Sequence, residues 1–193
     1  FMIAGKELIQ SVAKYDNPEE LSVSDRNNIG YQYTDCPLYW ISVIYLNFAE
    51  AKAEMGSLTQ DDLNNSINKL QARAGLPAMT TTPDADPANN MGVSNLIWEI
   101  RRCRRCELIM DNWYRYWDLI RWHQLDKLDS TKYPNTMLGA NVSNVPDCEE
   151  ATKNGYIDAS DAQIRTYEAK HYFYPIPTTQ LTLNKNMKQN PGW

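Results

Sequence analysis

The sequence predicts a mostly α-helical protein, with tetratricopeptide-like helical hairpins, an irregular excursion and an extended C-terminal tail. Three observations carry this reading. Apolar residues recur at helical spacing from about residue 37 to about 125, with glycine or proline where the runs stop. No period is sustained over residues 129–170. Residues 171–193 hold an aromatic strand, a Pro-x-Pro and a closing Asn-Pro-Gly turn.

Residues 1–36 read as loop-rich, with Asn17-Pro18-Glu19-Glu20 as a turn or helix start. Pro37 fits the first turn of a helix, where its missing N–H is harmless. Ile41, Ile44, Tyr45, Phe48 and Met55 then form the expected buried stripe, and Leu46, Ala49 and Ala53 form a second apolar face. Two apolar faces place this helix inside an array, and Gly56 ends it as a left-handed cap. Thr59-Gln60-Asp61-Asp62 starts the next helix, a hydroxyl cap followed by acids in the first turn. Its stripe is Leu63, Ile67, Leu70 and Ala74, and Gly75 and Pro77 stop it. The pair spans about 35 to 40 residues, close to the tetratricopeptide period.

Residues 77–93 read as a loop rich in Pro, Asp and Asn. A third helix runs from Leu96 to about Met110 with Ile97, Ile100, Arg104 and Leu108 in register. A fourth reaches about Leu125, with Trp113, Tyr116, Trp117 and Ile120 as its core stripe. Asp118 lies three residues from both Arg115 and Arg121 and can pair with either. In the excursion, Pro134, Gly139, Pro146 and Gly155 punctuate short strands or turns; so long an irregular stretch is often functional. In the tail, Pro175 and Pro177 fix φ and remove two donors, so the backbone is extended and cannot sit inside a sheet. The tail is expected to pack down with large aromatic area in the core.

Three stretches resemble a known family in its own order. Tyr45-Leu46-Asn47-Phe48-Ala49-Glu50-Ala51, ending at Met55-Gly56, looks like the "LNYAEA…LG" helix of the SusD/RagB family. Ile100-Arg101-Arg102-Cys103-Arg104-Arg105-Cys106-Glu107-Leu108, followed by Trp117-Asp118-Leu119-Ile120-Arg121-Trp122, looks like its "IRRERRxEL…FDLxRW" segment, with Cys103 where the family usually has Glu. Tyr172-Phe173-Tyr174-Pro175-Ile176-Pro177 through Gln189-Asn190-Pro191-Gly192-Trp193 resembles its C-terminus. The resemblance implies stacked tetratricopeptide-type hairpins in an outer-membrane glycan-binding lipoprotein. It implies a surface-exposed protein that binds oligosaccharide without catalysis and hands it to a TonB-dependent (SusC-like) transporter. Members are usually much longer, so residues 1–193 are expected to be a single C-terminal domain of a longer protein, with the lipid anchor in other sequence.

Composition narrows the alternatives. The chain has 193 residues, 42% of them hydrophobic, enough for a core. Its net charge of −5 argues against a general nucleic-acid binder, which needs a basic surface. No apolar run of about 18 residues is present to span a bilayer as a helix. Four cysteines, Cys36, Cys103, Cys106 and Cys148, do not read as a disulfide framework in a chain this long.

Each chemical motif has a structural reading beside the functional one. The Arg101–Arg105 run could bind phosphate, but on a helix in an acidic chain its arginines are expected to pair with acids, some of them partly buried. Cys103-x-x-Cys106 lies mid-helix without a βαβ pattern, so free thiols are expected rather than a redox pair or zinc site. His123 reads as a helix-end residue and His171 as half exposed; no nucleophile elbow accompanies them. The acids Glu19-Glu20, Asp61-Asp62 and Glu149-Glu150 are sequence neighbours that diverge on a helix, unlike a glycosidase pair. No catalytic residue, metal or cofactor is therefore expected. Tryptophan and tyrosine can stack on the C–H faces of sugars. Tyr133, Tyr156 and Tyr167, in the irregular region, are the candidate glycan-binding residues, with structural packing as the competing role. The other function classes consistent with the pattern are a helical-repeat adaptor for peptides or proteins and a carbohydrate-active enzyme.

Overall fold

The computed structural model describes residues 22, 24, 38–109, 111, 114–145, 152–158 and 163–193; the side chains of Thr152 and Lys153 are not described. The expectations at Asn17–Glu20, Cys36, Pro37, Met110, Trp113, Pro146, Cys148 and Glu149-Glu150 lie outside the described residues. The chain divides into two compact units, Phe1–Trp113 and Tyr114–Trp193. Within the described residues it is mostly helical, as expected.

The first unit contains α1 (Ile41–Glu54), α2 (Gln60–Asn64), α3 (Ile67–Arg73) and α4 (Asn95–Glu107). Helix α1 ends as its glycine predicts. Gly56 has φ +67°, its N–H donates to Ala53 O at 3.0 Å, and Ser57 N donates to Lys52 O at 2.9 Å. These two bonds make a Schellman motif, which only a residue tolerant of the left-handed region closes cheaply. Three residues after Gly56, Thr59 caps α2 in a reciprocal box: Asp62 N donates to Thr59 Oγ1 at 3.2 Å, and Thr59 N donates to Asp62 Oδ2 at 2.9 Å. The short turn brings α3 back onto α1, and α4 packs against both.

The second helix of the sequence reading is in fact two. Ser66 leaves the helical region, with φ −131° and ψ −98°, and its hydroxyl donates to Asp62 O at 2.6 Å. Asn65 Nδ2 likewise donates to Asp61 O at 2.9 Å. The Asp61 carbonyl keeps its helical donor, Asn65 N, at 2.9 Å, but the Ser66 hydroxyl has taken the Asp62 carbonyl while Ser66 N turns to Leu63 O at 3.1 Å, which is how a serine interrupts a helix. Three of its four stripe residues stay inside across the break: Leu63 and Ile67 are fully buried and Leu70 is buried, while Ala74, at the C-cap, is exposed.

The stripe of α1 is reversed. The buried residues are Val43, Leu46 and Ala49, the side read as secondary. Ile41 is 62% exposed, Ile44 56%, Phe48 43% and Met55 72%. Spacing marks both faces as apolar but does not say which one meets α4. The buried face also carries Glu50, 3% exposed, which faces the buried Arg101 of α4 at 3.4 Å. Arg104 of α4 donates to Asn47 Oδ1 of α1 at 2.8 Å. The choice of face thus follows the polar partners: the side presenting Asn47 and Glu50 satisfies two arginines that α4 must bury.

The second unit contains α5 (Tyr114–Arg121), a three-stranded sheet and α6 (Thr178–Leu183). The strands are β1 (Leu138–Asn141), β2 (Thr152–Lys153) and β3 (Tyr156–Asp158), in the order β1-β3-β2 with both pairings antiparallel. Asn154 and Gly155, at φ +54° and +79°, make the two-residue turn between β2 and β3. Its core is small: Leu119, Trp122, Leu125 and Val142. The expected stripe of α5 is corrected here. Trp117 is 53% exposed, while Asp118, Leu119 and Trp122 are buried. Asp118 pairs with Arg121, whose Nε donates to it at 2.8 Å.

Candidate functional site

The candidate tyrosines lie in the second unit, where the irregular excursion closes on itself. Ser130 N donates to Arg165 O at 2.9 Å, and Arg165 N donates back to Ser130 Oγ at 3.0 Å. Beside this neck sits Asp129, whose carboxylate is buried. The Thr131 hydroxyl donates to it, as do Thr131 N at 2.9 Å and Tyr167 N at 3.2 Å. These donors, the Thr131 hydroxyl foremost, hold the Asp129 carboxyl below the usual range. One buried carboxylate therefore fixes both ends of the excursion.

Asp129 also positions two of the three candidates. Tyr133 N donates to Asp129 O at 2.8 Å. The Tyr133 ring is half-buried, with Lys127 Nζ 4.5 Å from its centroid and donating to its hydroxyl at 2.7 Å. Tyr167, tied to the Asp129 carboxylate through its own N–H, meets His171 and Tyr172 edge-on, with centroids 6.2 and 5.8 Å away. Burial, then the Tyr172 hydroxyl, pushes the Tyr167 phenol up to about 12. Tyr156 is separate: it lies on β3 opposite Asn141 and Lys153, with its side chain exposed.

The tail supports this region with a network of its own. Between Pro175 and Pro177 only Ile176 keeps an N–H, and it donates to Gln189 Oε1 at 2.8 Å. Gln189 Nε2 donates back to Ile176 O at 3.0 Å, so one amide side chain satisfies both backbone groups. Asn190 Nδ2 donates to Tyr174 O at 2.7 Å, and Trp193 Nε1 donates to Phe173 O at 3.0 Å. Gly192, at φ +87°, passes so close that a Cβ there would lie 2.9 Å from Lys170 Cβ. The expectation of buried aromatics in the tail is overturned: Phe173 is 56% exposed, Tyr174 66% and Trp193 46%. The tail is held by hydrogen bonds to its backbone more than by burial of its rings. An N–H isolated between two prolines was the signal in the sequence that a partner such as Gln189 had to exist.

Other candidates resolve as structural. Cys103 and Cys106 are thiols on α4; burial pushes Cys103 up to about 12, and its Sγ accepts from Gln71 Nε2 at 3.9 Å. His123 closes α5 at φ +52° and lies 5.1 Å from the Tyr172 ring. His171 is half-buried, its Nδ1 accepting Glu168 N at 3.0 Å. In the arginine run, Arg101 and Arg104 are buried on α1, and Arg102 forks onto Glu99. Among the described residues no three His, Cys, Asp or Glu side chains gather to hold a metal ion. Sequence reasoning also missed an exposed aromatic group, Trp117 edge-on to Tyr116, whose hydroxyl is 3.3 Å from that of Tyr174.

The three sequence motifs now stand on α1, on α4 with α5, and on the clamped tail. A family model described as the SusD family matches residues 12–193. The chain belongs to the SusD family. Its fold is similar to a solved SusD-like protein (BF3747) from Bacteroides fragilis NCTC 9343, with 26% identity and a TM-score of 0.55 over 79% of this chain. It is also similar to the selenomethionine form of a protein named BT4246, with 27% identity and a TM-score of 0.52 over 81% of this chain. The matches cover only 25% and 24% of those two chains, so this SusD-family sequence spans about a quarter of the length of its solved relatives. No curated protein matches it. No helix among the described residues is long and apolar enough to cross a membrane.

Proposed function

We propose that this chain is part of a non-catalytic carbohydrate-binding lipoprotein of the outer membrane. In this reading it binds oligosaccharide at the cell surface for nutrient uptake and passes it to a TonB-dependent, SusC-like transporter. Membership of the SusD family over residues 12–193 is the observation that carries the proposal. Residues 1–193 act as one C-terminal domain of a longer polypeptide, and the lipid anchor lies elsewhere in that polypeptide.

Chemistry is consistent with binding rather than turnover. Among the described residues, the carboxylates with clear shifts serve structure: Asp62 caps α2, Asp86 accepts Trp98 Nε1 at 2.8 Å, and Asp129 ties the excursion. A sugar site needs an aromatic face and nearby hydrogen-bonding groups. Of the three candidates Tyr156 is the most open; Tyr133 and Tyr167 offer less ring surface because Lys127 and Tyr172 lie against them.

A glycan array followed by calorimetry on the full-length protein tests the proposal. Binding of an oligosaccharide whose chain length is unchanged after prolonged incubation is the expected result. Hydrolysis of the bound glycan, or no glycan binding alongside tight peptide binding, would replace it with the enzyme or adaptor reading. Tyr156→Ala is expected to weaken binding at least several-fold if the excursion contributes to the site. Unchanged affinity in that variant assigns the glycan site to other segments.

A further inference from the structure

The tail differs in charge from the rest of the chain. From Ala169 to Trp193 there are three lysines, Lys170, Lys185 and Lys188, and no aspartate or glutamate, in a chain of net charge −5. Lys170 is paired with Glu168 at 3.2 Å. Lys185 and Lys188 are exposed, and neither has an ion pair among the described residues. The same part of the second unit carries open rings. Tyr174 is 66% exposed and Trp117 is 53% exposed. Tyr116 joins the two, its hydroxyl 3.3 Å from that of Tyr174 and its ring centroid 5.6 Å from that of Trp117. The bonds of Gln189 to Ile176 and of Asn190 to Tyr174 O lay Lys188-Gln189-Asn190 beside Tyr174-Pro175-Ile176. Lys185 sits in the turn that leads there, closed by Met187 N on Asn184 O at 3.0 Å. Rings and unpaired cations thus share one surface, on a backbone already held by hydrogen bonds.

We infer that this surface contacts carbohydrate and selects oligosaccharides that carry carboxylate or sulfate groups. The selection rests on the glycan binding proposed above and names the class of sugar. Aromatic faces stack on the C–H faces of any sugar, and the paired hydroxyls of Tyr116 and Tyr174 can exchange hydrogen bonds with its hydroxyls. Neutral sugars give an ammonium group little to do. Carboxylates and sulfates give it a charge-assisted bond, and Lys185 and Lys188 are the cations left over for one. Because the backbone is fixed beforehand, binding orders little beyond the two lysine side chains. A bilayer surface is the poorer fit, since peripheral membrane elements present a long apolar helical face. Here α6 has six residues, and the rings meet through polar hydroxyls.

Calorimetry on the intact polypeptide tests the selection with oligogalacturonate, alginate and chondroitin sulfate fragments, each set against neutral galactan fragments of matched length. At least one anionic probe is expected to bind more tightly than the neutral ones, and added salt is expected to remove the preference. The double variant Lys185→Gln, Lys188→Gln is expected to weaken that probe about three- to tenfold, as two solvent-exposed charge contacts would. Both side chains face water, so its Tm should match that of the parent. Tyr174→Ala is expected to weaken the same probe, and hydroxyl-radical footprinting should show Tyr174 and Trp117 reactive without ligand and protected with it. Tighter binding of the neutral probes, or anionic binding unchanged in the double variant, would overturn the selection and leave glycan binding itself standing. Rings already protected without ligand would also overturn it, because other segments of the polypeptide would then cover them. So would sedimentation with phosphatidylglycerol vesicles that the double variant abolishes while glycan affinity stays the same, since lipid would then be the occupant. Failure of every glycan to bind would remove the selection together with the function it rests on.

Discussion

The two units reach order by different routes. In the first, Leu46, Ala49, Leu63, Ile67 and Ile100 are fully buried, and even the charges of Glu50 and Arg101 are taken inside. In the second, Leu119 is the one apolar side chain below 2% exposure among the described residues, and side-chain amides and carboxylates pin the backbone instead. The same device also serves in the first unit. Asn68 Oδ1 accepts Met79 N at 2.7 Å, and Asn68 Nδ2 donates to Met79 O at 3.1 Å, docking one loop residue against the helices. In the second unit the equivalent grip of Gln189 on Ile176 secures the tail. Helices satisfy their own backbone and need only a hydrophobic face, whereas an extended, proline-bearing segment needs external partners for every polar group.

Substitutions should separate the two routes. Leu46→Ala is expected to cost about 2–5 kcal/mol, the range for opening a cavity in a close-packed core. Hydrogen exchange should show the loss in α1 and α4. A cost near that of a surface substitution would mean that burial is not what holds the first unit. Gln189→Leu is expected to cost about 1–3 kcal/mol in the second unit, because two backbone groups of Ile176 lose their partner while the volume is nearly kept. Faster exchange at Ile176 N–H is the direct reading. Gly192→Ala should cost about 1–2 kcal/mol from the left-handed backbone, with a displaced Lys170 side chain visible by NMR.

The smallest effect is a pH dependence in the first unit. Lys52, then Thr59, holds the Asp62 carboxyl at about 2, below its ordinary 3.8. A depressed folded pKa stabilises above the unfolded value and is lost as the group takes up a proton. The contribution of Asp62 is therefore complete above about pH 5 and fades as pH falls through 4 toward 2. Asp62→Asn should flatten the acid limb of the denaturation midpoint in that window. An identical limb in both proteins would show that the cap does not depend on the charge.

Legibility followed the same division. Gly56, Thr59 and Asp62 announced their roles because caps are local and need only neighbours in sequence. The helical class and the family motifs were equally plain. The face of α1 was not, since Ile44 and Leu46 carry equal apolar weight and the choice was made by Arg101 and Arg104, about fifty residues downstream. Trp117 was misplaced for a related reason: Asp118 and Leu119 turn inward, which a count of aromatic residues does not weigh. The split of the second helix at Ser66 rests on a hydroxyl bond that competes with the helix and leaves no trace in periodicity. In the candidate site, the irregular character of 129–170 was readable. Its organisation around Asp129 was not, because Tyr167 and Asp129 lie 38 residues apart.

The grip on Ile176 also bears on self-association. An extended rim with open amide hydrogens invites a strand from a neighbouring molecule, and sheets grow from such rims. Over Pro175, Ile176 and Pro177 two residues have no hydrogen to give and the third has given its own to Gln189. An approaching strand finds no donor across that stretch, so no ladder can form through those three residues.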